Sequence, residues 1–134
     1  MFLHLLDGDQ KAAFFDLASE MLAADGEADD AEISYMDRLI DEAGLVKRHA
    51  LHDQRAPLDL EVFDTNEAKH AAVLELLILS VIDGHYHVKE AAFANDIIDR
   101  LDIDEDTHEA LCRLTNDAIK LLHGMRDLNA GAER

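Results

Sequence analysis

The chain has 134 residues, one domain by the usual size range. Hydrophobic residues make up 49%, which excludes an intrinsically disordered protein, and one Pro and six Gly are too few for a many-stranded sandwich or barrel. Lys plus Arg number 12 and Asp plus Glu 30; the formal net charge of -18 excludes a nucleic-acid-binding stripe and docking on anionic lipid. It favours cations, metal ions or basic proteins as partners, although the same charge also serves solubility or life in salt.

Apolar residues recur at helical spacing nearly throughout. Phe14, Leu17, Ala18, Met21 and Leu22 share one face of a first helix, with Asp9 as its cap and Asp25-Gly26 at its end. A second helix carries Ile33, Met36, Leu39, Ile40 and Ala43 and stops at Gly44. A weaker helical pattern covers 46–54, before Pro57, and 55–64 is the least regular stretch. Asp64-Thr65-Asn66-Glu67 then reads as a capping box with Asp64 as the cap. The helix it opens is apolar on most sides over 73–82, the mark of a buried centre. That stretch is too short to span a bilayer, which takes about 20 residues.

The helix breaks at Asp83-Gly84. The next, over 88–101, is expected to turn Ala91, Ala92, Ile97, Ile98 and Leu101 inward. Leu111, Leu114, Ala118, Ile119, Leu122 and Met125 mark the inner face of a last helix that frays over 130–132. Cys112, the lone cysteine, reads as a small buried hydrophobe on that helix. The N-terminal residues lack the basic region of a secretory signal, so a soluble, cytoplasmic protein is expected.

The informative feature is an internal repeat. Ala24-Asp25-Gly26, with Glu32 after it, recurs 58 residues later as Ile82-Asp83-Gly84 with Glu90. The match continues through Tyr35 with Phe93, Leu39 with Ile97, Ile40 with Ile98, Asp41 with Asp99 and Leu45 with Ile103. Each copy is helix, Asp-Gly turn, helix. Two copies at one phase imply a duplicated helical hairpin with approximate two-fold symmetry inside one bundle.

Asp-Gly-x5-Glu is the second half of an EF-hand loop. The first half is absent: Met21 and Ala23, then Leu79 and Val81, stand where carboxylates belong. The bland reading is capping, with Asp29 and Glu32 as a capping box and His87 and Glu90 as its poorer counterpart. Capping does not require Asp25 and Asp83, whose charges oppose the helix dipole at a C-terminus. A compensating divalent cation is the second reading.

At these residues the sequence resembles the TerB-like family, which includes the tellurite-resistance protein TerB and the N-terminal domain of the DjlA membrane co-chaperones. The resemblance covers about 9–122 within a single domain of 1–134. It implies an all-α bundle of about seven helices in two pseudo-symmetric hairpin halves. It also implies a non-enzymatic role in tellurite or metal stress, through an acidic surface that binds a divalent metal ion, a basic or membrane-associated protein, or both. By position the metal ligands would be Asp25, Glu32, Asp83 and Glu90, with Asp29 as a neighbour. The second turn departs from the acidic pattern, because His85, Tyr86 and His87 replace acids; with Asp83 or Glu90 the imidazoles suit Zn2+ better than Ca2+.

Other constellations are weaker. His49, His52 and Asp53 share a helical face, and His70 and His123 stand singly. Ser19, Ser34 and Ser80 lie in no nucleophile turn and no Gly-rich phosphate loop occurs, so catalysis is not expected, and a metal-dependent enzyme acting through the acidic pairs is the last alternative. A third class is an acidic adaptor, or a nucleic-acid mimic that occupies a basic protein surface.

Overall fold

The computed structural model describes residues 2–24, 30–43, 60–82 and 88–132. Among them the chain is all-helical, a bundle without strands. A 3-10 turn over Leu3–Leu5 precedes α1 (Gly8–Ala24), α2 (Asp30–Ala43), α3 (Asn66–Val81), α4 (Val88–Arg100) and α5 (Glu105–Ala132). The weak helix expected over 46–54 lies outside the described residues, as do both Asp-Gly turns.

The core is built around α3. Its Ala68, Ala72, Val73, Leu76, Ile78 and Leu79 are buried on successive faces, as a helix apolar on most sides requires. It packs against α1, α2, α4, α5 and the 3-10 turn. From α1 come Phe14, Leu17, Ala18 and Met21, as the periodicity predicts, together with Phe15, whose ring meets Phe14 edge to face at 5.2 Å. No helix among the described residues is long and apolar enough to cross a membrane.

Two expected caps move. Asp7, not Asp9, caps α1: its Oδ1 accepts from Gln10 N at 2.8 Å, while Gln10 Oε1 accepts from Asp7 N at 2.9 Å. This is a reciprocal capping box. Thr65, not Asp64, caps α3, its hydroxyl accepting from Ala68 N at 3.1 Å. Asp64 is otherwise engaged, because its Oδ1 accepts from Gln10 Nε2 at 3.3 Å. Asp104 caps α5, accepting from Thr107 N at 2.7 Å.

Inner faces also differ in detail. On α4, Ala92 is exposed, and Glu90 and Ala94 are buried with Ile97 and Ile98. On α2, Ile33 is exposed and Glu32 and Tyr35 take the inner side. On α5, Leu111 and Ala118 face the core, whereas Leu114 and Met125 face solvent. The helix expected to fray over 130–132 extends to Ala132.

Candidate functional site

The repeat places Glu32 and Glu90 alike. Each is the third residue of its helix, α2 and α4 respectively. Each is also fully enclosed, with 1% of Glu32 and none of Glu90 exposed. Their repeat neighbours follow: Leu39 and Ile97 are buried, as are Ile40 and Ile98. A glutamate at this helical position can fold back to accept an N–H from the turn before it, or ligate a cation held in that turn. Neither carboxylate is isolated. Asp25, Asp29, Asp83, His85 and His87 lie outside the described residues, and so do His49, His52 and Asp53. Among the described residues no three His, Cys, Asp or Glu side chains come together as a metal-holding group.

A third buried acid lies outside the repeat. Glu75 is fully buried in the middle of α3. Its Oε1 accepts from Phe2 N at 2.7 Å, and its Oε2 accepts from Tyr35 Oη at 2.7 Å. The signal was available: a carboxylate inside a run apolar on every side must be paired to be tolerated. Burial, and then the charge of Glu75, push the Tyr35 phenol well above its ordinary range.

Exposed acids gather where α4 meets α5. Asp96, Asp99, Asp102, Asp104, Glu105, Asp106 and Glu109 are all exposed there. The basic residue among them, Arg100, approaches Asp96 at 3.8 Å on the open surface. Backbone and side-chain hydrogen bonding with Thr107 holds the Asp104 carboxyl below its ordinary range.

Cys112 is exposed rather than buried. Partial burial, followed by the charge of Glu109, raises its thiol, so it stays protonated and is a poor nucleophile at neutral pH. His70 and His123 are half-buried. A groove of about 590 Å³ lies between the 3-10 turn, α3 and α5, with His70 and Glu67 on a largely apolar wall.

Comparison of the chain with protein-family models, with curated proteins and with solved structures yields no match.

Proposed function

We propose that the chain is a non-enzymatic, TerB-like helical domain whose two Asp-Gly-x5-Glu turns bind a divalent cation. In this reading the hairpins α1–α2 and α3–α4 are pseudo-symmetric halves of a bundle of about seven helices. The observation that carries it is the paired burial of Glu32 and Glu90 at one helical position. Each glutamate is the third residue of a helix that follows Asp-Gly in the sequence, a position from which its carboxylate can reach a cation held there.

The first turn would supply Asp25, Asp29 and Glu32, an all-oxygen set suited to Ca2+ or Mg2+. The second would supply Asp83, His85, His87 and Glu90, a set suited to Zn2+. Tellurite or metal stress is the setting that the family resemblance implies.

The test is thermal unfolding of EDTA-stripped protein with each cation, against NaCl at matched ionic strength. The salt control separates binding from relief of self-repulsion. A cation at 100 times its dissociation constant adds about 2.7 kcal/mol. That moves the midpoint by roughly 5 to 15 °C at this size. The shift is expected to vanish in Asp25→Ala combined with Asp83→Ala. No shift beyond the salt control would reduce both turns to helix caps.

The acidic corner between α4 and α5 favours a second reading, an adaptor that occupies a basic protein surface. It is distinguished by binding to a basic protein that weakens steeply with salt and needs no cation.

A further inference from the structure

The last helix is longer than the core it serves. α5 has 28 residues and α3, the helix it chiefly packs on, has 16. At 1.5 Å per residue these are about 42 Å and about 24 Å, so α5 overhangs. The bundle buries Leu111, Thr115 and Ala118 of α5. Beside that row runs another that the bundle leaves open: Leu114 is 50% exposed, Leu121 58%, Met125 50% and Leu128 65%.

Together with Leu111 and Ala118, these residues keep the alternating three- and four-residue spacing of a coiled-coil seam. At 3.6 residues per turn the four exposed side chains share an arc of about 60°. The same geometry puts Arg113, Lys120 and Asp127 on another side of the helix. The groove between the 3-10 turn, α3 and α5 opens on the seam's side, since Ala110, Leu111 and Leu114 line it together with Phe2, Leu5 and Leu74. Stripe and groove meet at Leu111 and Leu114, and Glu67, His70 and Asp106 also line the groove.

Two further observations choose the occupant. Gly124 lies inside α5, and a methyl group built on it meets no atom within 4 Å. Glycine weakens a helix interior, and no contact among the described residues requires it there. The open space beside it admits a second helix. The charge pattern agrees. Residues 111–128 carry Arg113, Lys120 and Arg126 against Asp117 and Asp127, in a chain of net charge -18. A like copy meets little repulsion on this strip, whereas a basic partner is drawn to the acids elsewhere.

We propose that this face of α5 is a homodimer interface, with α5 antiparallel to the α5 of a second copy. In one register Leu114 meets the partner's Met125, while the partner's Leu128 and the partner's Leu121 come over Leu111 and Ala118, whose side chains the bundle already buries. On the flank Asp117 then faces Gly124 of the partner subunit, so no like charges oppose each other. A band one helix wide, about 10 Å by 27 Å, falls short of a stable interface. Stable dimers bury about 800 Å² per partner. Seating the partner's Leu128 in the groove adds the 3-10 turn and α3 to the buried surface.

The test is sedimentation equilibrium of the whole chain, from micromolar concentration upward, at low and high NaCl. The expected mass is twice the 14.9 kDa of one chain, with association tightening as salt screens the remaining repulsion. Leu121→Glu and Leu128→Glu should sediment as single chains with unchanged far-UV circular dichroism. Gly124→Ala should move two readouts in opposite directions. The melting midpoint of dilute, monomeric protein should rise by about 3 to 6 °C. Its dimer dissociation constant should rise about tenfold. A single-chain mass at every concentration and salt overturns the proposal. So does a dimer that survives Leu121→Glu, or one that Gly124→Ala tightens.

Discussion

The hydroxyl of Tyr35 donates a 2.7 Å hydrogen bond to Oε2 of Glu75, and both side chains are buried. The other carboxylate oxygen accepts from Phe2 N at 2.7 Å. One charge in the middle of α3 thus fastens both α2 and the N-terminal segment to the central helix. Tyr35→Phe keeps the ring and removes the donor. It should cost about 1 to 3 kcal/mol in urea unfolding, because the hydrogen bond is buried and charge-assisted. A double-mutant cycle with Glu75→Gln should return a coupling of at least about 0.5 kcal/mol. Additive single mutants would show that the two side chains are neighbours without being partners.

The same contact predicts how stability changes in alkali. Burial, then the Glu75 charge, then the hydrogen bond raise the Tyr35 phenol above its unfolded range. The folded state therefore holds the proton more tightly than the unfolded state. Its stabilising contribution is complete below the unfolded pKa of about 10 and is lost as pH rises from there toward the folded value. Wild-type stability should fall more steeply above that pH than that of Tyr35→Phe. Parallel curves would remove Tyr35 from the alkaline transition.

Helices were legible because period 3.6 needs only local sequence, and α3 was legible as the centre because it is apolar on most sides. The caps were displaced for a tertiary reason. Asp7, Asp9, Asp64 and Thr65 are all competent caps. Gln10 decides among them, since its side chain closes the box with Asp7 and its Nε2 also reaches Val62 O at 2.9 Å and Asp64. The inner face of α5 was ambiguous because two adjacent apolar rows share one helix, and only packing on α3 selects between them. For the candidate site, the positions of Glu32 and Glu90 were readable from the repeat. Their burial was not, because it depends on how α2 and α4 pack against the rest of the bundle.

Gln10 itself should be sensitive. It is buried and bonds α1 to the segment that leads into α3, across 52 residues of chain. Gln10→Ala deletes the bond to Val62 O and half of the Asp7 box. It should cost about 1 to 3 kcal/mol, with the part-buried carbonyl as the larger part. Gln10→Glu isolates that part. It can still receive the Asp7 N–H but cannot donate to Val62 O, and it brings a charge toward Asp64. It should therefore be at least as damaging as Gln10→Ala. A Gln10→Glu variant as stable as wild type would mean that the Val62 bond contributes little.

Asp102 offers a change in the other direction. It ends α4 with φ 56, in the left-handed region that favours glycine. The hydrogen bonds Asp102 N to Asp99 O at 3.1 Å and Ile103 N to Ile98 O at 3.2 Å make the turn a Schellman cap, with half-buried Ile103 closing it. An aspartate there bears backbone strain that glycine avoids, partly offset by the greater freedom of glycine in the unfolded chain. It also stands among the exposed acids of the α4–α5 corner, so removing its charge relieves repulsion. Asp102→Gly should stabilise by about 0.5 to 1 kcal/mol, a few degrees in melting midpoint. Asp102→Asn separates the two causes, because asparagine tolerates the left-handed conformation and lacks the charge. If the gain is backbone strain, glycine exceeds asparagine and the difference persists in high salt. If it is charge, the two variants match and both gains shrink as NaCl is added.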